Sequence, residues 1–227
     1  MKILDVRVDD VTYAETVQWV ASKIDAGGTH LIATVNPEFI MRAQNDAAFA
    51  KVLDEAALNV PDGVGVLWAA KRMGQPMRER VAGSTLLPML CERAAAEGWR
   101  VFFLGAANGI AEQAAHLMQA RFSKMQIAGA YAGSPGAMHD DDLVRRIADT
   151  HADIVFVAYG APAQDKWLAR NLPRIARFTQ SGIVGIGVGG TFDFIVGRRK
   201  RAPVWMQRLS LEWLHRLVQE PSRWRRQ

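Results

Sequence analysis

The sequence predicts an α/β fold, with a parallel sheet covered by helices on both faces and a basic amphipathic C-terminal helical appendage. Three observations lead to this prediction. Short apolar segments alternate with helical ones, which is typical of βαβ units. Hydrophobic residues make up 49% and charged residues 22% of the 227 residues, as in an ordinary folded domain. The composition changes abruptly after Gly197, where four cations follow in a row.

The first half of the alternation starts with a buried strand, HLIATV, at 30–35. A helix over 37–57 follows, with Pro37 at its first position and apolar residues three or four apart. The Pro-Asp-Gly turn at 61–63 then leads into a helix closed by Gly74. The next helix, at 84–98, has Ser84 as its predicted N-cap and Gly98 as its stop.

The second half repeats the pattern. Residues 100–122 form a strand, a glycine-bearing turn and a helix. The predicted elements after them are the strand MQIAGAYAG, the helix DDDLVRRIADTH, the strand ADIVFVAYGAP, the helix AQDKWLARNLPRI and the strand SGIVGIGVGG. In a parallel sheet of this kind ligands bind beyond the carboxyl ends of the strands. Six residues fall just after predicted strands and should converge on one rim: Thr34, Asn36, Asn108, Tyr159, Gln164 and Gly189.

The basic charge is concentrated in the last thirty residues. Residues 198–227 contain nine basic and two acidic residues, a formal charge of +7, so residues 1–197 carry −2 of the total of +5. We therefore predict a domain at 1–197 and an appendage at 198–227. Its apolar stripe, Met206, Leu209, Trp213 and Leu217, beside arginines is the composition of a membrane-surface helix. Packing of the tryptophans on the domain is the alternative.

Two glycine-rich segments are candidates for binding a nucleotide. GIGVGG at 185–190 satisfies G-x-G-x-x-G, but a poor helix follows it and no acidic residue lies about 20 positions on, so nicotinamide binding is disfavoured. GAANG at 105–109 is a better phosphate cradle because it joins a strand to a helix N-terminus. It is also an ordinary strand-to-helix turn.

Other classes of chemistry find no support in the sequence. The five histidines show no i, i+4 pairing with an acid, so we expect no catalytic metal. No G-x-S-x-G elbow is present, which disfavours a serine hydrolase. The single cysteine, Cys91, excludes an internal disulfide and fits a reducing compartment. The N-terminus lacks the apolar core of a signal peptide, and no apolar run reaches the length of a membrane span.

Asp62 stands in the Pro-Asp-Gly turn, where it is either plain turn chemistry or a base presented to a cleft. Each polar residue near the strand ends also has a structural interpretation. Asn36 would cap a helix, Arg80 would be solvated and Gln164 would sit in a first helical turn. Together, a carboxylate, two amides and an arginine suit a reaction that deprotonates a hydroxyl and neutralises an anionic leaving group.

From about residue 30 to the end, the chain resembles the WecG/TagA/CpsF glycosyltransferase family. The segments that carry the resemblance are TVNPEFIMRAQND, NVPDGVGV, ERVAGS, VFFLGAANG, VAYGAPAQDKW, GVGGTFDFIVG, RRKRAPVWMQRLSLEWLHRL and EPSRWRR. The resemblance implies a Rossmann-like, metal-independent, inverting enzyme without a cofactor. Such an enzyme transfers a sugar from a UDP-sugar to a polyprenyl-diphosphate-linked saccharide in bacterial cell-surface polysaccharide or teichoic acid synthesis.

The resemblance also implies roles for individual residues. Asp62 would be the general base, while Thr34 and Asn36 would contact the donor sugar. The other residues with implied roles are Gln164 and Arg80 in the pocket, Gly189 and Asp193 near the nucleoside, and Arg216, Arg223 and Arg226 at the diphosphates. Gly105 and Asn108 belong to the phosphate cradle that the strand-to-helix turn predicts. The family's appendage works at the membrane, so an anionic membrane surface on the inner, cytoplasmic face is an expected partner. Nucleic acid is not expected.

Several alternatives stay open at this point. The donor sugar is N-acetylmannosamine, its uronic acid or glucose, and the oligomeric state, a homo-oligomer included, is not fixed. A nucleotide-binding oxidoreductase built on the G-x-G-x-x-G segment is the alternative enzyme. A non-catalytic basic module for lipid or nucleic acid is the third hypothesis.

Overall fold

Six parallel strands form the central sheet of the protein. The structure is a computed structural model that describes residues 1–178, 182–199 and 206. In chain order the elements are β1 (Lys2–Ile3), β2 (Val6–Arg7), α1 (Tyr13–Ala26), β3 (Thr29–Val35), α2 (Pro37–Ala43), α3 (Ala47–Glu55), β4 (Leu58–Pro61), α4 (Val64–Arg72), α5 (Gly83–Glu97), β5 (Arg100–Gly105), α6 (Ile110–Arg121), β6 (Gln126–Tyr131), α7 (Asp140–Ala148), β7 (Ile154–Ala158), α8 (Ala163–Ile175), β8 (Ile183–Gly187) and α9 (Thr191–Ile195). Short 3₁₀ helices lie at Ala137–His139 and Ala176–Phe178.

The strand order is β4-β3-β8-β7-β5-β6, and every neighbouring pair is parallel. The last strand, β8, is therefore inserted between β7, the strand that precedes it in the sequence, and β3, which lies near the start of the chain. This order brings the carboxyl ends of β4, β3, β8 and β7 side by side at one rim. A separate antiparallel pair, β1 and β2, lies outside this sheet.

Apolar side chains of the strands alternate between two cores, as the pleat requires. On one face Leu31, Ala33 and Val35 pack with helix residues such as Phe49 and Trp167. On the other face Ile32 and Val60 pack with residues of α1, α5, α6 and α9, namely Val20, Leu87, Ala114 and Phe192. The prediction of a parallel sheet with helices on both faces is confirmed.

Two predicted helices differ from the observed ones. The helix predicted over 37–57 is broken into α2 and α3, because Asp46 accepts a hydrogen bond from the Phe49 amide (3.1 Å) and starts a new helix. The Lys166 ammonium also binds this carboxylate, at 2.6 Å. Ser84 is not the N-cap of α5, which begins at Gly83 with Ala82 as its cap. Gly98 ends α5 in the left-handed conformation, as predicted.

Three elements were not assigned from the sequence, namely the β1–β2 pair, α1 and β4. Helix α1 carries a complete capping box, in which the Glu15 amide donates to the Thr12 hydroxyl and the Glu15 carboxylate accepts from the Thr12 amide. The Thr12–Glu15 spacing is visible in the sequence and could have predicted the start of α1. Strand β4 has only four residues and ends in Pro61, so its pattern is too short to identify.

The predicted amphipathic helix of the appendage falls outside the described residues, apart from residues 198, 199 and 206. Within the described part of the chain, no helix combines the length and apolar character needed to span a bilayer.

Candidate active site

A cleft of about 230 Å³ opens at the rim where β3, β4, β7 and β8 end. Its walls come from the loops that follow these strands and from the first turn of α5. The lining residues are Thr34, Asn36, Glu38, Phe39, Asp62, Gly83, Ser84, Tyr159, Gly160, Ala161, Gln164, Val188, Gly189, Gly190, Thr191, Phe194 and Arg199. Five of the six residues predicted to meet at one rim are among them, so that prediction is confirmed except for Asn108.

Asp62 lies in this cleft because the β3–β4 ladder continues into the turn. Its backbone amide donates to the Val35 carbonyl oxygen at 2.7 Å. Gly63 then reverses the chain with a φ of +103°, a conformation that L side chains rarely adopt. Asp62 therefore belongs to a structured turn and also lines the cleft.

Tyr13 lies close to this carboxylate. Burial is the main cause that raises the pKa of the Tyr13 phenol, and hydrogen bonds from Thr85 and the Ala82 amide oppose this rise. The charge of Asp62 raises the pKa further, whereas the charge of Arg80 lowers it. Both charged groups thus act on the same phenol. Arg80 is not among the residues that line the cleft.

Thr34 and Asn36 both line the cleft and both hold the backbone. The Thr34 hydroxyl donates to the Gly187 carbonyl oxygen at 3.1 Å, which ties β3 to β8. The side-chain oxygen of Asn36, Oδ1, accepts a hydrogen bond from the Phe39 amide at 3.0 Å and caps α2. The structural interpretation of Asn36 is therefore correct, and its presence in the cleft is an additional property.

Gln164 connects two loops of the cleft. Its side-chain oxygen accepts from the Gly160 amide at 3.2 Å and from the Gly189 amide at 2.9 Å. Asp165, the next residue of α8, is fully buried. Burial raises the pKa of the Asp165 carboxyl to about 7, against smaller opposing effects of its own amide and of the Gln164 side chain.

A second cavity, of about 730 Å³, lies on the β6 and α7 side of the rim. Asn108 lines it, together with Tyr131, Gly133, His139 and Arg146 among others. Tyr159 lines the first cleft, and its hydroxyl lies 2.5 Å from where a Cβ on Gly133, a residue of the second cavity, would stand. The two cavities are thus neighbours along one rim.

Comparison with known proteins decides the class. The model of the family described as "Glycosyl transferase WecG/TagA/CpsF family" matches residues 1–227. The chain belongs to this glycosyltransferase family.

Three relatives of this glycosyltransferase share the name N-acetylglucosaminyldiphosphoundecaprenol N-acetyl-beta-D-mannosaminyltransferase. The relative from Bacillus spizizenii is 35% identical over 204 residues, which cover 89% of this chain and 76% of the relative. The relative from Bacillus subtilis is 35% identical over 197 residues, covering 86% and 74%. The relative from Staphylococcus aureus is 29% identical over 226 residues, covering 99% and 85%.

The oxidoreductase alternative finds no support in these comparisons. The structure gives the physical reason why the G-x-G-x-x-G pattern misleads. Gly185 and Gly187 lie in strand β8 rather than in a turn. Glycine is needed at both positions because side chains of α8 occupy the space that a Cβ would fill. A Cβ on Gly185 would stand 2.5 Å from Leu168, so this glycine serves close packing of helix on strand.

The remaining predicted residues of the glycosyltransferase are more scattered. Gly105 ends β5 against Ala158, outside both cavities. Asp193 lies one turn into α9 and pairs with Arg199 at 3.9 Å. Arg216, Arg223 and Arg226 lie outside the described residues.

Several cleft residues were not singled out as site residues from the sequence, among them Glu38, Ser84, Phe194 and Arg199. Arg199 was counted only as part of the basic run that starts the appendage. Among the described residues, no group of three or more metal-ligating side chains comes together.

Proposed function

We propose that this glycosyltransferase moves N-acetylmannosamine from a UDP-sugar to a polyprenyl-diphosphate-linked acceptor sugar, with inversion at the anomeric carbon. The names of the relatives support both halves of the proposal, since they specify a mannosaminyl group and a diphosphoundecaprenol acceptor. The observation that carries it is the position of Asp62, which lines one cleft with Thr34, Asn36 and Gln164.

The proposed reaction is a single displacement. The acceptor hydroxyl attacks the anomeric carbon on the face opposite UDP, so the new C–O bond forms as the bond to the β-phosphate oxygen breaks. Asp62 takes the hydroxyl proton, and UDP leaves with the bonding electron pair. A carboxylate suits this role because the hydroxyl becomes acidic only as it attacks, so the base has to be close rather than strong.

The departing diphosphate needs positive charge beside it. Arg199 supplies a guanidinium in the cleft, with Nη1 3.7 Å from where a Cβ on Gly190 would stand. We propose that Arg216, Arg223 and Arg226 of the appendage supply further positive charge to the diphosphate. One guanidinium group can bind two phosphate oxygens at once.

The nucleotide half of the donor would extend from this cleft along the rim. Gly105 and Asn108 flank the turn that opens α6, whose first amides have no helical partner and attract anions. Asp193 and the Gly189 loop follow the end of β8, which β7 separates from β5. The donor would therefore span several strand ends, with its sugar beside Asp62.

A panel of UDP-sugars tests this proposal directly. Each sugar is incubated with the full chain and a short-chain lipid-diphosphate N-acetylglucosamine, and UDP release is measured. We expect acceptor-dependent release with UDP-N-acetylmannosamine that exceeds release with its uronic acid or with UDP-glucose. Release from none of the donors would refute the function, and preference for another sugar would refute the donor assignment.

We further propose that the appendage holds the enzyme on the inner face of the cytoplasmic membrane. Deleting residues 198–227 should abolish binding to anionic liposomes, because this segment carries +7 and three tryptophans. Flotation of liposomes with and without anionic lipid measures the effect. Retained binding of the truncated chain would show that another surface is the anchor.

A further inference from the structure

Asp165 is a buried carboxyl that no step of the proposed reaction uses. It lies in the first turn of α8, and its side chain is fully buried. Neither oxygen has a hydrogen-bond partner of normal geometry among the described residues, but the Gln164 side chain is close enough to interact with the carboxyl. A buried polar group of this kind is costly, so its presence beneath a catalytic cleft calls for a physical reason.

The carboxyl lies directly behind Gln164, under the floor of the cleft. Both side chains converge on Gly187, where a Cβ would stand 2.4 Å from Gln164 Nε2 and 2.9 Å from Asp165 Oδ1. The carbonyl oxygen of Gly187 accepts from the Thr34 hydroxyl. The missing side chain at Gly187 therefore leaves the space in which the amide and the carboxyl meet.

The hydrogen bonds of Gln164 fix which end of its amide faces the carboxyl. Its oxygen accepts from the amides of Gly160 and Gly189, so its nitrogen is the end left toward Asp165. In either protonation state the Asp165 carboxyl offers an acceptor oxygen to that nitrogen. If the Gln164 amide were flipped, its oxygen would face the carboxyl oxygen of Asp165. Its NH₂ group would then face the Gly160 and Gly189 amides, which are also donors.

We propose that Asp165 is a positioning residue that holds the Gln164 amide in this orientation and thereby fixes the Gly160 and Gly189 loops on two sides of the cleft. Its effect on transfer rests on the proposed function, whereas its effect on the loops does not. Both loops contribute walls to the space where the donor sugar would bind. Loss of the carboxyl should loosen those walls without removing any group that touches substrate.

Three variants of the full chain test the proposal. Asp165→Leu removes both acceptor oxygens and keeps the branching at Cγ with a larger side chain, and we expect kcat/KM for transfer to fall roughly tenfold to a hundredfold, because small displacements of a site are that costly. Asp165→Asn keeps an acceptor oxygen and should retain most of the activity. Asp165→Leu on a Gln164→Ala background should have little further effect, since both residues act through one amide.

Stability gives the readout that separates positioning from mere packing. Removing a buried carboxyl relieves its desolvation cost, which offsets the crowding that the larger leucine side chain introduces. We therefore expect urea unfolding to show unchanged or higher stability for Asp165→Leu, while hydrogen exchange speeds up at the Gly160 and Gly189 amides. Unchanged exchange at both amides would overturn the proposal.

A measurement on the wild-type chain covers the case in which Asp165→Leu does not fold. With ¹⁵N-labelled glutamine, the side-chain NH₂ of Gln164, identified by its loss in Gln164→Glu, should be shifted and protected from exchange. An unprotected NH₂ would overturn the proposal whatever the variants do. Absence of transfer in the wild type, with a protected NH₂ and sensitive loops, would refute the proposed function alone.

Discussion

Asp62→Asn should lower the rate of sugar transfer by about 10²- to 10⁴-fold, the range typical of removing a general base. Asparagine has nearly the same shape as aspartate but cannot accept the acceptor's proton. The turn around it should persist, because it depends on backbone features. These are the hydrogen bond from the Asp62 amide to the Val35 carbonyl oxygen and the positive φ of Gly63. Affinity for UDP, measured by calorimetry, should therefore stay within a fewfold of the wild-type value.

Asp54→Asn is the matched control for this experiment. Asp54 is an exposed carboxylate on α3 that does not line the cleft, so its loss makes the same change of charge without touching the site. Unchanged transfer in Asp62→Asn would contradict the mechanism and favour the non-catalytic basic module. Loss of UDP binding together with transfer would mean that Asp62 holds the nucleotide rather than the proton.

The convergence of the site could be predicted from the sequence because it depends on local patterns. Residues such as Thr34, Gln164 and Gly189 directly follow apolar segments, and strand ends in a parallel sheet lie at one edge. Their meeting requires only that the sheet be parallel. The sequence pattern carried that information without the strand order.

The strand order itself could not be read in this way. The pairing of β8 with β3 joins distant parts of the chain, and it places the Thr34 hydroxyl against the Gly187 carbonyl oxygen. The position of β5 beyond β7 leaves Asn108 in the neighbouring cavity. Asp165 Oδ1 lies 2.9 Å from where a Cβ on Gly187 would stand. In the sequence, Asp165 is simply an acidic residue in the first turn of a helix, where such residues are common.

The turn at 105–109 offers a second test, which concerns stability. Gly105→Ala should destabilise the fold by about 3 kcal/mol or more, because two costs combine. Its φ of +108° is unfavourable for alanine, and the new Cβ would stand 2.8 Å from the backbone carbonyl carbon of Ala158 on the adjacent strand β7. Backbone at the centre of a sheet cannot move away cheaply. Urea unfolding measures the loss as a lower midpoint at an unchanged slope.

Gly109→Ala separates these two costs at the other end of the same turn. Gly109 also has a positive φ, +79°, but nothing lies within 4 Å of the Cβ position, so only the backbone conformation opposes alanine there. That strain costs about 1 kcal/mol. A large excess for Gly105→Ala would therefore measure the contact of β5 with β7 at the rim. Equal losses in the two variants would mean that the strands separate to accept the methyl group, and the rim that positions Gln164 and Tyr159 would then be more pliable than its hydrogen bonds indicate.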